Sequence, residues 1–302
     1  MLPTLQPDDS TDRPLPTPWS EYANWLTDQW QCLLESDPPE LDVQRFLEAH
    51  PSLLPGADGD IGPGGHHGPE YDAVITEPPL KGIARDRRPD FMWITLSTSL
   101  VTPICIEIER PGKHWFNKSG VPTGEFTQAL DQLTDWKVWF SEPENQSIFR
   151  KSYLRDDHNH RQLLPQYVLI FGGHREFELH SGIHAAPDRL RKKRDFMARS
   201  NESFMTFDSL QPRESRCNFA TIKLTASSGI ELHRLPPSFT SGPVTRELAS
   251  VARDPRAAIS KTELWTEERK AYVLERWLYW KGFADNLDNH SMPQIYSPRT
   301  GE

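Results

Sequence analysis

Acidic residues interrupt two apolar runs near the middle of the chain. Glu107 and Glu109 lie two residues apart in ICIEIE, so in an extended strand both carboxylates would point to the same face. Burying two like charges side by side costs several kcal/mol unless a cation neutralises them, and carboxylate oxygens suit Mg²⁺ or Mn²⁺. Asp90 begins the preceding run and would join the cluster if the two runs pair. The spacing thus indicates a divalent-metal site with three carboxylate ligands.

The same spacing also has a purely structural interpretation. Alternating Glu and Ile is typical of a half-exposed antiparallel strand, in which Arg110 could form surface ion pairs with the glutamates. On spacing alone this is the more frequent situation. A glycoside hydrolase is disfavoured, because that chemistry needs carboxylates on opposite sides of a bond and here they lie side by side.

Three further polar residues could assist a reaction at a phosphate. Lys113 follows Glu109 by four residues, and its ammonium could contact a phosphate or polarise a water. Gln128 and Gln132 are four residues apart in a predicted helix and therefore share one face. An ordinary polar helix face is the alternative explanation for the two glutamines.

Two basic segments are candidates for contact with nucleic acid. The first, RDRR, contributes Arg85, Arg87 and Arg88 directly before the Pro-Asp pair, where a phosphate would have to approach. The second is the run RLRKKRD, which with Arg199 supplies six basic residues between Arg189 and Arg199. A solvated helix face is the more frequent explanation for such a run, so RDRR is the preferred DNA-contact segment.

The elements that would position these residues follow an α/β order. Two β-rich runs, PDFMWITL and PICIEIE, are joined by the polar residues STS, which predicts a hairpin. A helical period follows in TGEFTQALDQLTDWKVWFSE, then a strand in QYVLIFGG, a basic helix in APDRLRKKRDFMARS and a strand in SFMTF. Two helices precede the hairpin. The pattern predicts an α/β domain with a central mixed sheet flanked by helices.

Composition shifts divide the chain into three predicted parts. Residues 1–18 carry five prolines and predict a disordered lead, and residues 19–215 form the α/β domain. Residues 216–302 are expected to be a C-terminal appendage. Its main element is an amphipathic helix over about 260–284, for which Ser260 and Glu263 fit a capping box.

Charge, cysteine content and hydropathy limit the compartment and the partners. The net charge of −9 argues against a protein that coats nucleic acid with its whole surface, although it leaves room for a local basic groove. Three widely spaced cysteines indicate reduced thiols. No signal peptide is recognisable, and no apolar run approaches the roughly 20 residues that a membrane span needs. We therefore expect a soluble cytoplasmic protein without a membrane partner.

Several longer stretches resemble a known family. RRPDFMWI, IEIERPGKHWFNKSGVPTGEFTQALDQLTDWKVWF and the upstream FLEAHPSLLPG resemble the Shedu immune nucleases of bacterial anti-phage defence, within the PD-(D/E)xK superfamily. YVLIFGG and SFMTFDSL are similar to that family's distal strands, and the resemblance covers about residues 40–212. It implies a restriction-endonuclease-like core and a DNA endonuclease that depends on Mg²⁺ or Mn²⁺ and assembles as a homo-oligomer.

The resemblance also implies roles for individual residues. Asp90 resembles the metal-binding aspartate and Glu107 the acidic residue of the (D/E)xK motif, where the Ile108 carbonyl could add a ligand. Glu109 departs from the pattern, because lysine is usual there. Glutamate could instead hold a second metal or act as a general base, and Lys113 could replace the missing cation.

Accessory roles follow from the same resemblance. Gln128 and Gln132 resemble glutamines that line such sites and orient the water or a carboxylate, and Glu48 could be an accessory ligand from the N-terminal helix. The glutamate at position 109 also supports an alternative function. In that alternative the chain is a catalytically weak or inactive nuclease-fold module that binds or senses nucleic acid.

Overall fold

The structure, a computed structural model, describes residues 13–82, 88–225, 229–242, 245–252 and 254–285. Its helices are α1 (Trp19–Glu35), α2 (Glu40–Ala49), α3 (Gly124–Ser141), α4 (Pro143–Tyr153), α5 (Pro187–Met197), α6 (Thr245–Val251), α7 (Arg256–Lys261) and α8 (Glu267–Asp285). Its strands are β1 (Ala73–Thr76), β2 (Phe91–Leu96), β3 (Leu100–Ile108), β4 (Gln162–Leu163), β5 (Gln166–Ile170), β6 (Glu202–Met205), β7 (Ala220–Thr225) and β8 (Gly229–Arg234).

One mixed sheet organises these elements. The strand order is β6-β5-β3-β2-β1-β7-β8, with β4 paired to β3 beside β5. The β2–β3 hairpin is antiparallel, whereas β3–β5 and β5–β6 are parallel. The predicted α/β class with a central mixed sheet flanked by helices is therefore confirmed.

The predicted hairpin lies at the centre of the sheet. Phe91 pairs with Ile106 and Leu96 pairs with Val101, so the polar residues Ser97–Ser99 form the connection. The side chains of Ile104, Ile106 and Ile108 pack with α1 and α2 on one face. Cys105 and Met92 belong to the core on the other face, together with α3 and α4. Because both faces are covered, β3 is buried along almost its whole length.

The C-terminal residues join this sheet rather than forming a separate appendage. β7 pairs in parallel with β1, and β8 extends the same sheet. The run AVIT that forms β1 was missed by the sequence analysis, since four residues with no turn signal give a weak pattern. The expected boundary near residue 215 therefore falls between strands of one sheet.

Two terminal segments also differ from expectation. Of the lead predicted to be disordered over 1–18, residues 13–18 are described. There Arg269 Nη1 donates to the Pro14 carbonyl at 2.8 Å, and the Thr17 N–H donates to the Pro237 carbonyl at 3.2 Å. The long C-terminal helix begins at Glu267 instead of near residue 260, because Thr266 accepts the Arg269 N–H and acts as the N-cap.

Within the described part of the chain, no helix has the length and apolar character needed to cross a membrane.

Candidate functional site

The hairpin brings Asp90 and Glu107 together. Phe91 pairs with Ile106 in an antiparallel register, so the next residues outward, Asp90 and Glu107, are cross-strand neighbours on one face. The Ile108 N–H donates to Asp90 Oδ2 at 2.8 Å, which fixes the aspartate beside the end of β3. The two carboxyl groups share a hydrogen bond. This pairing was expected from the strand pattern.

The environment of this pair opposes two negative charges. Glu107 is 6% exposed, and burial together with the charges of Asp90 and Glu109 raises its pKa well above the usual range. Burial also raises the pKa of Asp90 to about 7, and the charges of Glu40 and Glu109 act in the same direction. Around neutral pH the metal-free pair therefore holds a proton, and a bound cation would release it.

Glu109 occupies a different position from the pair. β3 ends at Ile108, and the Glu109 N–H donates to the Ile170 carbonyl at 3.0 Å. The Glu109 carboxylate, on a residue only 8% exposed, forms an ion pair with the Lys113 ammonium. The Lys113 N–H donates to the Arg110 carbonyl and closes a turn through Pro111 and Gly112. This turn brings the lysine back to the end of the strand.

Lys113 keeps its positive charge in this setting. Burial lowers its pKa, but the hydrogen bond and charge of Glu109 outweigh burial, and the pKa lies above its usual value. The charges of Glu125 and Glu40 add to this effect. A cation thus lies beside Glu109, just past the end of β3.

A carboxylate that the sequence analysis missed also reaches this cluster. Glu40 is the first residue of α2, and partial burial and the charge of Glu109 raise its pKa. Its carboxyl shares a hydrogen bond with Glu109. Pro39 immediately before it marks the helix start, but nothing in the local pattern shows that this helix end approaches β3.

Glu48, expected as an accessory ligand from the same helix, has other partners. It accepts hydrogen bonds from Thr76 Oγ1 at 2.7 Å and from His233 Nε2 at 3.0 Å. Burial opposes its ionisation, but these bonds outweigh burial, and its pKa is lowered. The contacts make Glu48 a tie between α2, β1 and β8.

The remaining predicted residues that the structure describes are exposed or partly buried. Gln128 is exposed on α3. Gln132 is partly buried, and its Oε1 has no hydrogen-bond partner among the described residues. Arg88 is described and exposed, whereas Arg85 and Arg87 lie outside the described residues.

A buried carboxylate fixes the chain that follows Lys113. Glu176, 2% exposed, accepts the N–H groups of Trp115 at 2.8 Å and Phe116 at 2.9 Å. It also bonds His184 Nε2 at 2.9 Å. This segment forms one wall of a cavity of about 630 Å³, whose lining includes Lys113, Lys118, Thr123 and Glu125. The cavity leaves room beside Lys113 for part of a substrate.

The donor set fits a hard divalent cation only in part. Asp90 and Glu107 supply buried carboxylate oxygens, and Mg²⁺ commonly uses one or two protein carboxylates with waters and phosphate oxygens completing its shell. Among the residues that the structure describes, no three His, Cys, Asp or Glu side chains are grouped closely enough to hold a metal. The expected third ligand, Glu109, is paired with Lys113 instead.

The fold and the site define an α/β protein whose central hairpin ends in a buried carboxyl pair. The chain matches the family model described as "Shedu protein SduA, C-terminal" over residues 37–211, which is more than half of its 302 residues. The chain therefore belongs to the Shedu family, as the resemblance predicted, and this membership implies a part in anti-phage defence. No curated protein matches it.

Proposed function

We propose that this protein is a divalent-metal-dependent DNA endonuclease acting in anti-phage defence. The observation that carries the proposal is the buried, hydrogen-bonded pair of Asp90 and Glu107, both with raised pKa. A structural role alone does not explain why two carboxyls are buried together, because two apolar side chains would be more stable there. A cation bound between the two carboxylates would neutralise their charges and so account for the arrangement.

The chain's own residues divide the work in this proposal. Asp90 and Glu107 would hold Mg²⁺ or Mn²⁺, which would supply positive charge to offset that of the scissile phosphate and favour ionisation of the attacking water. The Ile108 N–H keeps Asp90 in place. Lys113 replaces the lysine that the superfamily pattern has at position 109 and contacts a phosphate oxygen, while Glu109 orients Lys113 and accepts a proton. Gln128 and Gln132, on α3, position the water or a carboxylate, and Arg85, Arg87 and Arg88 contact the DNA backbone.

A plasmid assay tests this function. Supercoiled plasmid is incubated with the full chain and Mg²⁺, Mn²⁺ or a chelator, and nicked and linear products are separated on agarose. We expect metal-dependent nicking or cutting that is lost in Asp90→Asn and Glu107→Gln. Glu144→Gln, which changes an exposed carboxylate on α4, is the matched control and keeps full activity.

The alternative, a nuclease-fold module that binds or senses nucleic acid without cutting, is favoured by one observation. Glu109 is paired with Lys113, and among the described residues no three acidic, histidine or cysteine side chains are grouped as a metal site. If DNA binds the wild-type chain but no metal supports cleavage, the binding module is the correct function. Cleavage that survives both Asp90→Asn and Glu107→Gln would contradict the assignment of the site.

A further inference from the structure

Helix α5 carries an unusual combination of residues on its solvent side. Arg189, Lys192, Lys193 and Phe196 follow one another at helical spacing and therefore share one face. Phe196 is 90% exposed, the largest value among the exposed large apolar side chains of the described residues. The segment from Pro187 to Arg199 has six basic and two acidic residues, although the whole chain has a net charge of −9.

Internal contacts account for only some of these cations. Arg191 pairs with Asp188, and Arg194 pairs with Asp195 and lies over the rings of Trp115 and Phe177. Arg189 and Lys192 are exposed and form no ion pair within the described residues. Burying a phenylalanine ring stabilises a folded chain by roughly 2 kcal/mol. Because Phe196 is exposed, it contributes little of this stabilisation to the chain.

This face adjoins the candidate site through the segment that follows β3. Lys193 Nζ donates to the Gly120 carbonyl at 2.7 Å and lies 5.3 Å from the centre of the Phe116 ring. Phe116 and Lys118 line the same cavity as Lys113. The surface therefore runs from Lys113, which pairs with Glu109, past Lys118 to α5.

We propose that the exposed face of α5 is a DNA-docking surface that extends the substrate path away from the reaction centre. Arg189 and Lys192 contact backbone phosphates, and Phe196 stacks on or inserts between bases, as exposed aromatics do on nucleic-acid surfaces. Charge complementarity selects DNA over an apolar protein partner, since an oligomer interface would have to bury both cations with Phe196. The assignment of DNA rests on the proposed function, but binding can be measured without it.

The test measures binding in the absence of divalent metal. A fluorescein-labelled DNA duplex of about 30 base pairs is titrated with the full chain in chelator, by anisotropy, at five salt concentrations. We expect Arg189→Ala/Lys192→Ala to weaken binding and to reduce the slope of log affinity against log salt by roughly two, since each lost phosphate contact changes that slope by about 0.9. We expect Phe196→Ala to weaken binding about tenfold with the slope unchanged.

Matched variants lie on the C-terminal helices. Arg256→Ala/Lys261→Ala removes two exposed cations from α7, and Leu278→Ala truncates an exposed apolar side chain on α8. Both controls should bind as wild type. Equal affinity and slope for wild type and both α5 variants would overturn the proposal. The proposal would also be overturned if Phe196→Ala changed the oligomeric mass measured by light scattering but left DNA affinity unchanged. That result would assign the face to a second copy of the chain.

The two proposals fail separately. If no metal supports cleavage but the α5 variants lose affinity and slope as expected, the docking surface stands and the endonuclease function is wrong. If metal-dependent cleavage is found and the α5 variants bind and cut as wild type, the endonuclease function stands and the docking surface is wrong.

Discussion

The carboxyl pair predicts that one substitution stabilises the metal-free protein while it abolishes the response to metal. The pKa of Asp90 rises from its usual 3.8 to about 7, chiefly because the group is buried. A factor of ten in ionisation corresponds to about 1.4 kcal/mol, so ionising Asp90 in the folded chain costs up to about 4 kcal/mol of stability above pH 7. Asp90→Asn removes this ionisation.

The sign of the pH dependence follows from linkage. Between pH 3.8 and about 7 the folded state binds more protons at Asp90 than the unfolded state does, so stability falls as the pH rises through this window. Asparagine can still accept the Ile108 N–H through its side-chain oxygen. We expect metal-free Asp90→Asn to be about 1–3 kcal/mol more stable than wild type at pH 8 and nearly equal to it at pH 4. The expected difference is below the ceiling because solvent still reaches part of the Asp90 side chain.

Metal should shift the stability difference toward the wild type. Mg²⁺ at ten times its Kd would stabilise the wild type by about 1.4 kcal/mol and Asp90→Asn by nearly nothing. Urea unfolding followed by the fluorescence of the ten tryptophans, at both pH values with chelator or Mg²⁺, measures all of these differences. Asp131→Asn, an exposed carboxylate on α3, is the control. If Asp90→Asn is less stable than wild type at pH 8 in chelator, Asp90 is a structural hydrogen-bond acceptor and the reasoning is refuted.

Three further predictions concern Lys113, His50 and Glu176. Lys113→Met should lower the cleavage rate at saturating DNA on the order of 100-fold, as the loss of a transition-state charge partner does, and an unchanged rate would exclude Lys113 from the reaction. Burial lowers the pKa of His50 to about 3. The free energy of unfolding should therefore fall by about 1.4 kcal/mol for each pH unit between 6.5 and about 3. Urea unfolding of His50→Gln should lack that component, and an identical pH profile would contradict it. Glu176→Gln, which removes an acceptor from Trp115, Phe116 or His184, should cost about 1–3 kcal/mol in thermal unfolding; a smaller loss would show that water replaces it.

Local pattern was sufficient to predict the centre of the site. The hairpin depends on two runs with a period of two and on the polar connection at Ser97–Ser99. The neighbouring positions of Asp90 and Glu107 follow from that register alone. The family resemblance, which covers this part of the chain, identified the correct family.

Long-range contacts account for what was missed. Glu109 lies just past the end of β3, and its carboxylate is held by Lys113, which the strand pattern did not specify. Glu40 reaches Glu109 from a separate helix. The parallel pairing of β7 with β1 joins segments nearly 150 residues apart, and no local pattern specifies such a partner.

That pairing bears on how the protein can be dissected. A fragment trimmed to the matched residues 37–211 would leave the backbone groups of β1 unpaired along one side, because β7 would be absent. It would also remove His233 from the buried Glu48 carboxylate. Bare strand edges recruit other chains, so such a minimal fragment should aggregate, and active preparations will need to retain the strands and helices beyond residue 211.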